Sequence, residues 1–485
     1  MHSNSTFNLQ RSTFKIKIIM AKLSEKIGYG FGDMSSSMFW KIFSYYLPIF
    51  YSDVFGLNLV DAGVLMLVTR IWDGVSDPMM GIIADRTKTR WGKYRPYLLW
   101  MAVPFSLCGI LLFTTPDWGY AAKLIWAYVT YILMMTVYTG INVPYGSMLG
   151  VMTADTNEKT VFSSFRMFFA YGGSFIALSA WEPLCNYFTS SLGGSKATGT
   201  QFAMVAIAAA CFILFILCFS LTREHIKSTS KVSVGSDFSS LLKNRPWWVL
   251  IGAALCSNLF NTIRGSVVAY FFTYIICVDG DVSLPFFGLS ILFYAGLFLS
   301  VGEVCNMIGV ALTVPISKKL GKKSTFIYSN IALAVFSVLF FFMPADSVAG
   351  LWGMMILQIV ISIFTGIVSP LIWSMYADVS DYAELKFNTA STGLIFSSAS
   401  MAQKFGGALG GASVMWLLAI VGYVQPQNGV AVTQPESVTT YLWYLMTFAP
   451  SCVALISIIC VNYYQLTTDE VEHIANQLKK TRGQA

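Results

Sequence analysis

The chain has 485 residues, of which 55% are hydrophobic, 15% aromatic and only 11% charged; a soluble domain carries about 25% charged residues, so a soluble globular protein is excluded and a polytopic membrane protein is expected. The net charge of +7 would suit nucleic acid, but the basic residues fall in short loops between apolar runs, where they set orientation in a bilayer, and no nucleic-acid partner is expected. Nine cysteines and three histidines, the cysteines scattered singly, give neither a disulfide framework nor a zinc site.

Residues 1–21 are polar, lack a signal-peptide core and read as a disordered cytoplasmic extension, with Met20 an equally good start. Runs long enough to span a bilayer follow near 26–51, 57–84, 97–115, 121–150, 161–184 and 201–221, then near 247–277, 286–315, 325–343, 349–377, 389–422 and 438–464. The loop after the second run carries Arg86, Lys88, Arg90, Lys93 and Arg95. That after the sixth carries Arg223, Lys227, Lys231, Lys243 and Arg245, and that after the eighth Lys318, Lys319, Lys322 and Lys323. Loops around Asp117, Glu182, Asp279, Asp346 and Glu436 hold few cations, so both termini are expected in the cytoplasm.

The longest hydrophilic connection follows run six. It predicts a six-helix bundle over 22–222, a cytoplasmic linker over 223–245, a second six-helix bundle over 246–466 and a cytoplasmic tail over 467–485. The halves echo each other: Gly81 to Lys93 with Gly309 to Lys323, and Pro144, Ser147, Asp155 and Gly172 with Pro370, Ser374, Asp378 and Gly406. An all-α membrane protein of twelve transmembrane helices, duplicated around a midplane site, is the transporter pattern. No catalytic triad, nucleotide loop or metal cluster points to an enzyme.

Run two carries Arg70, Asp73 and Asp77 on one helical face, with Ser76 on the neighbouring flank. Charges inside a bilayer-length helix are expensive and mark ion or substrate paths. Two carboxylates with hydroxyl oxygens suit a proton or Na+; the alternative is a structural ion pair with Arg70. In run four, Thr139 would complete a cation shell, while Tyr138 and Asn142 would meet a sugar or serve as polar glue between helices.

Lys41, Arg166, Arg264 and Lys404 are isolated cations in apolar runs, Lys404 following Ser400 by one turn. Each pairs with an acid or receives an anionic or polyhydroxylated ligand. Counted with Arg70 against Asp73, Asp77 and Glu303, they leave an interior excess of positive charge, unless Arg264 pairs with Glu303 and Arg166 snorkels. The aromatics Trp40, Tyr45, Tyr46, Trp72, Tyr145, Tyr171 and Trp373 are expected mainly to pack or anchor at the interface, with sugar stacking the alternative. Asp378, Asp381 and Glu384 form either a gate latch against the basic loops, with Arg90, Lys93 and Arg95 opposite, or a solvated loop.

Tyr29-Gly-Phe-Gly32, Tyr51-Ser-Asp-Val-Phe-Gly56, Arg70-Ile-Trp-Asp-Gly-Val-Ser-Asp-Pro78, Arg90-Trp-Gly-Lys-Tyr-Arg-Pro96 and Asp381-Tyr-Ala-Glu-Leu-Lys386 resemble motifs of the glycoside-pentoside-hexuronide:cation symporter family, the melibiose permease-like branch of the major facilitator superfamily. The resemblance runs from about Lys22 to the last span. It implies a major-facilitator fold and sugar uptake coupled to H+ or Na+ by alternating access. It places Asp73 and Asp77 on cation-site acids and Thr139 on a supporting hydroxyl; Ser76 stands where a galactoside-carrying member has asparagine. Tyr138, Arg166 and Lys404 fall on positions that line or support the sugar pocket.

The departures bear on substrate. Ser37 and Asn142 stand where the galactoside carrier has aspartates and Gly146 where it has tryptophan, while Lys41 adds a cation one turn from Ser37. The expected cargo is a glucuronide or other hexuronide, then a pentoside or xyloside; Ser37, Lys41, Tyr138, Asn142, Arg166, Arg264, Ser400 and Lys404 are the candidate substrate residues. A lysolipid or other amphiphile carrier is the alternative within transport, a membrane enzyme or sensor the alternative outside it. The expected setting is the inner membrane, the expected unit a monomer, and no cofactor beyond the coupling ion is expected.

Overall fold

The computed structural model describes residues 22–153, 156–225, 242–278, 280, 282–286, 289–387, 392–426 and 432–481. The predicted extension over 1–21, Asp155, Asp279 and most of the 223–245 linker lie outside the described residues.

Twelve helical segments follow the twelve apolar runs. In the first half they are α1 (Leu23–Tyr45), α2 (Leu59–Arg86), α3 (Ala102–Leu112, preceded by a turn over Pro96–Trp100), α4 (Tyr120–Met152), α5 (Thr156–Ser191) and α6 (Lys196–Leu221). In the second they are α7 (Arg245–Phe271), α8 (Ala295–Leu320), α9 (Lys322–Phe340), α10 (Val348–Phe387), α11 (Thr392–Ile420) and α12 (Glu436–Met446, running on through Phe448–Asn462). Local chemistry sets several starts. The Asn58 side chain accepts from Val60 N at 2.8 Å to cap α2, and Asn244 caps α7 with Pro246 in its first turn.

Within the first half α1 packs on α5 and α6, α2 on α4, and α3 on α4 and α6; within the second α7 packs on α11 and α12, α8 on α10, and α9 on α10 and α12. The two bundles meet along α2 with α11, α5 with α8 and α1 with α7. Ile125, Val129 and Leu133, one turn apart on α4, are exposed, as an apolar stripe facing lipid should be. Eight helices among the described residues are by themselves long and apolar enough to cross a membrane. Of the remaining four spans, α1 and α2 carry ion-paired charges and α3 is broken at Met101.

One end of the assembly is tied shut. α1 continues through Leu47–Ile49 into a π-helical turn over Phe50–Val54, and α7 continues into one over Phe272–Ile276, the same device in each half. Between these turns Asp53 accepts hydrogen bonds from Tyr423 at 2.5 Å and from Tyr274, both of the second bundle. Ser52 shares one with Tyr270 at 2.9 Å, Trp416 donates to Val60 O at 3.3 Å and Tyr294 to Ser179 O at 2.7 Å. At the opposite end the basic loop over 87–95 is held from inside its own bundle. Glu224 accepts from the backbone N–H groups of Lys93, Tyr94 and Arg95 at 2.8, 2.7 and 2.8 Å. The turn requires Gly92, whose φ is +118° and whose missing Cβ would collide with that carboxylate.

Two expectations change. The predicted eighth span begins at Ala295 rather than near 286, because its first residues pair in a hairpin of β1 (Ser283–Phe286) and β2 (Leu289–Leu292), Leu284 opposite Ile291. The acidic motif is not a loop: α10 runs through Asp378, Asp381 and Glu384, since neither glycine nor proline interrupts the chain from Leu371 to Thr392. The tail forms α13 (Thr468–Thr481).

Candidate functional site

A cavity of about 320 Å³ lies between the bundles, within the range of small-molecule sites. α1 contributes Asp33, Ser37, Trp40 and Lys41, α2 Arg70 and α4 Tyr138; from the second bundle come Asn258 and Thr262 of α7 and Ser400, Gln403 and Lys404 of α11. Trp40 and Tyr138 pack with their rings tilted by 33° and centroids 5.4 Å apart, and the Arg70 guanidinium lies 4.2 Å over the Trp40 ring. An aromatic floor ringed by hydroxyl, amide and charged groups suits a polyhydroxylated ring better than an acyl chain.

Beside the cavity lies the acidic cluster. The i, i+3, i+4 spacing on α2 turns Asp73, Ser76 and Asp77 toward α4 and α11. Asp73 is fully buried and Ser76 nearly so. Thr139 Oγ1 lies 3.0 Å from Asp73 Oδ1 and 3.0 Å from Asp77 Oδ1, and Ser76 Oγ lies 3.2 Å from Thr139 Oγ1. With one proton Thr139 donates to one carboxylate at a time, leaving its lone pairs turned into the cluster. Lys404 reaches across from α11: its ammonium sits 3.2 Å from Asp73 Oδ2 and pairs with Asp77 Oδ2. Two acids stand against one ammonium in this cluster, and carboxylate and hydroxyl oxygens are the kind of group that a proton or Na+ takes. Lys404 belongs to both places, lining the cavity and neutralising the acids.

Once Asp33 is counted, the interior excess of positive charge falls from two to one. Arg166 pairs with Asp33, Nε to Oδ2 at 2.9 Å, an acid the sequence count omitted. Lys41 pairs with Glu303 across the bundles at 2.6 Å. Arg264 therefore does not take Glu303; it donates to Gln358 Oε1 at 2.8 Å and Met446 O at 3.1 Å, outside the cavity. Arg70 does not pair with the acids of its own helix, and among the described residues it has no carboxylate partner; its Nη1 is buried without a hydrogen bond.

Ser37 and Ser400 line the cavity as expected. Asn142 does not: its amide turns back to Tyr138 O at 3.1 Å. Of the gate residues, Asp378 pairs with Lys322, of the basic stretch after α8, at 2.6 Å, within one bundle. Arg90 lies over Trp91, Arg95 donates to Phe219 O at 2.7 Å and Lys93 binds Glu224 through its backbone. Among the aromatics only Trp40 and Tyr138 reach the cavity; Trp72 donates to Thr136 and Tyr145 to Tyr29 O. Asn258, Thr262 and Gln403 were missed; Gln403 adjoins Lys404, which was the available signal.

Residues 28–468 match the family described as MFS/sugar transport protein. The chain is 35% identical over 467 residues to YagG of Escherichia coli (strain K12), provisionally named a glycoside/cation symporter, covering 95% of this chain and 96% of that one. It is 32% identical over 465 residues to the inner membrane symporter YicJ of the same organism, with 96% of each covered. It is also 32% identical over 454 residues to the isoprimeverose transporter of Lactiplantibacillus pentosus, covering 90% of this chain and 88% of that one. Among solved structures the nucleoside transporter NupG superposes with a TM-score of 0.61 at 15% identity, over 91% of this chain and 100% of that one, a likeness of fold.

Proposed function

The chain belongs to the MFS/sugar transport protein family, a multi-pass membrane transporter and not an enzyme, and from that premise we propose that it is a cation:glycoside symporter of the inner membrane working by alternating access. The observation that carries the reading is Lys404, an ammonium of one bundle that neutralises the acids of the other while lining the sugar cavity between them. A proton or Na+ bound among Asp73, Ser76, Asp77 and Thr139 takes over that neutralisation and frees Lys404 to turn to the sugar. Cation and sugar then favour each other, as linkage through a shared residue requires. The carrier crosses between states when its acids are neutralised, because an uncompensated carboxylate in a closed, dry interior is too costly.

The distribution of basic loops supports a reading with the Asp53 end outside and the basic-loop end in the cytoplasm, and on that reading the sealed end is the outer one. The cavity forms within one chain, which suits a functional monomer. Its substrate is a neutral pentose-containing glycoside such as a xyloside: Lys41, Arg166 and Lys404 each hold a carboxylate already, which weakens the argument for an acidic sugar, and the isoprimeverose transporter is a relative over most of the chain. A hexuronide is the second reading, favoured by Arg70, which has no carboxylate partner among the described residues. The polar lining disfavours an amphiphile. Uptake of labelled isoprimeverose and of a labelled glucuronide into proteoliposomes under imposed Na+ or proton gradients tests both. Gradient-driven accumulation of the first is expected, and accumulation of the glucuronide alone would reverse the order.

A further inference from the structure

Glu303 on α8 and Arg264 on α7 are both buried, and with Asn261, Asn306 and Gln358 they line a polar chamber of about 40 Å³ beside the sugar cavity. That is room for about one water. Three atoms of these residues, Glu303 Oε2, Arg264 Nε and Asn306 Oδ1, are buried without a hydrogen-bond partner. Buried polar atoms are seldom left so; here two acceptors and one donor belong to residues sharing one small space. The other oxygen of Glu303 accepts from Lys41 at 2.6 Å, across the bundle interface. Arg264 keeps its remaining nitrogens on Met446 O and Gln358 Oε1 and has no carboxylate partner among the described residues.

The Lys41–Glu303 pair forms the floor of the seal. Lys41 lines the sugar cavity; beyond it toward Asp53 come the contacts of Ser300 with Ser179 at 2.8 Å and of Glu182 with Gly296 N at 3.1 Å. Opening the Asp53 end draws α1 and α5 away from α8 and breaks every one of them. The hydroxyl and amide contacts re-form with water, but a carboxylate left alone at a buried site is strongly disfavoured.

We propose that Glu303 is a two-partner residue. It holds Lys41 while the Asp53 end is sealed and turns to Arg264 within its own bundle when that end opens, releasing the Lys41 ammonium to a hydroxyl of the glycoside arriving from that side. This makes Lys41 a side-specific sugar-binding residue and Arg264 a positioning residue that acts through Glu303. The inference deepens the transport reading and rests on it.

The test uses the full chain in proteoliposomes of uniform orientation with labelled isoprimeverose, measuring KM from each face. A lost hydrogen bond from a charged group is worth about tenfold or more, so Lys41→Gln raises KM at the Asp53 face about tenfold and at the basic-loop face by less than about threefold. Arg264→Gln strands Glu303 on opening and slows uptake about tenfold or more. Adding Glu303→Gln to that variant restores most of the rate, because an amide needs no counter-charge; a folding defect would not be repaired this way. An equal rise in KM at both faces, wild-type uptake by Arg264→Gln, or a double variant as slow as the single one overturns the proposal. Absence of saturable transport of both isoprimeverose and a glucuronide by the unmodified protein would instead sink the transport reading itself.

Discussion

Lys404 Nζ lies 3.2 Å from Asp73 Oδ2, so a cation on α11 of the second bundle rests against a fully buried acid on α2 of the first. Removing one partner of such a pair costs about 3–5 kcal/mol. Lys404→Ala is therefore expected to lower the melting temperature in detergent by several degrees and to make it depend on the coupling ion. Adding the ion should raise it well above the shift seen in the unmodified protein, because the ion then supplies the only neutralising charge among these residues. An unchanged response to the ion would show that Lys404 and the ion do not compete for the same acids.

Two phenols of the second bundle fasten the Asp53 carboxylate within the seal. Each of Tyr274 and Tyr423 donates to the Asp53 carboxylate, and a hydrogen bond to a charged group contributes about 1.5–3 kcal/mol. Tyr274→Phe with Tyr423→Phe should shift the resting population toward the form open at that end by about tenfold or more. The measurement is the labelling rate of a Thr273→Cys reporter, which lines the neighbouring cavity, by a membrane-impermeant maleimide added outside. Labelling that does not accelerate would place the seal elsewhere.

Glu224 fastens the basic loop through three backbone N–H groups. Charge-assisted bonds of this kind are about twice as strong as neutral ones. Glu224→Ala should release the loop, increase trypsin cleavage at Arg90 and Lys93 in inside-out vesicles, and cost about 2 kcal/mol of stability. Cleavage unchanged from the unmodified protein would mean that packing, not Glu224, sets the loop.

Helix periodicity was enough to put Asp73 and Asp77 on one face with Ser76 on the neighbouring flank, and apolar run length to count the spans, because each is a property of a single stretch of chain. The pairings were not legible. Lys41 and Glu303 are separated by 262 positions and Arg166 and Asp33 by 133, and periodicity says which face of a helix is polar without saying which helix it meets. Asp33 escaped the charge count although it lies one turn before Ser37, and that omission doubled the apparent interior excess of cations and strengthened the acidic-sugar expectation. The hairpin before α8 was misread because Leu284, Phe286, Leu289 and Leu292 form an apolar run that suits strand or helix equally.

The central claim is that Asp73 and Asp77 exchange a cation for movement of sugar, and Asp77→Asn tests it most directly. Proteoliposomes holding the unmodified protein and an inward gradient of protons or Na+ should concentrate labelled glycoside above its outside level. With Asp77→Asn that accumulation should vanish, while exchange of labelled for unlabelled glycoside across the membrane persists. Uphill accumulation by the variant equal to that of the unmodified protein would contradict the account.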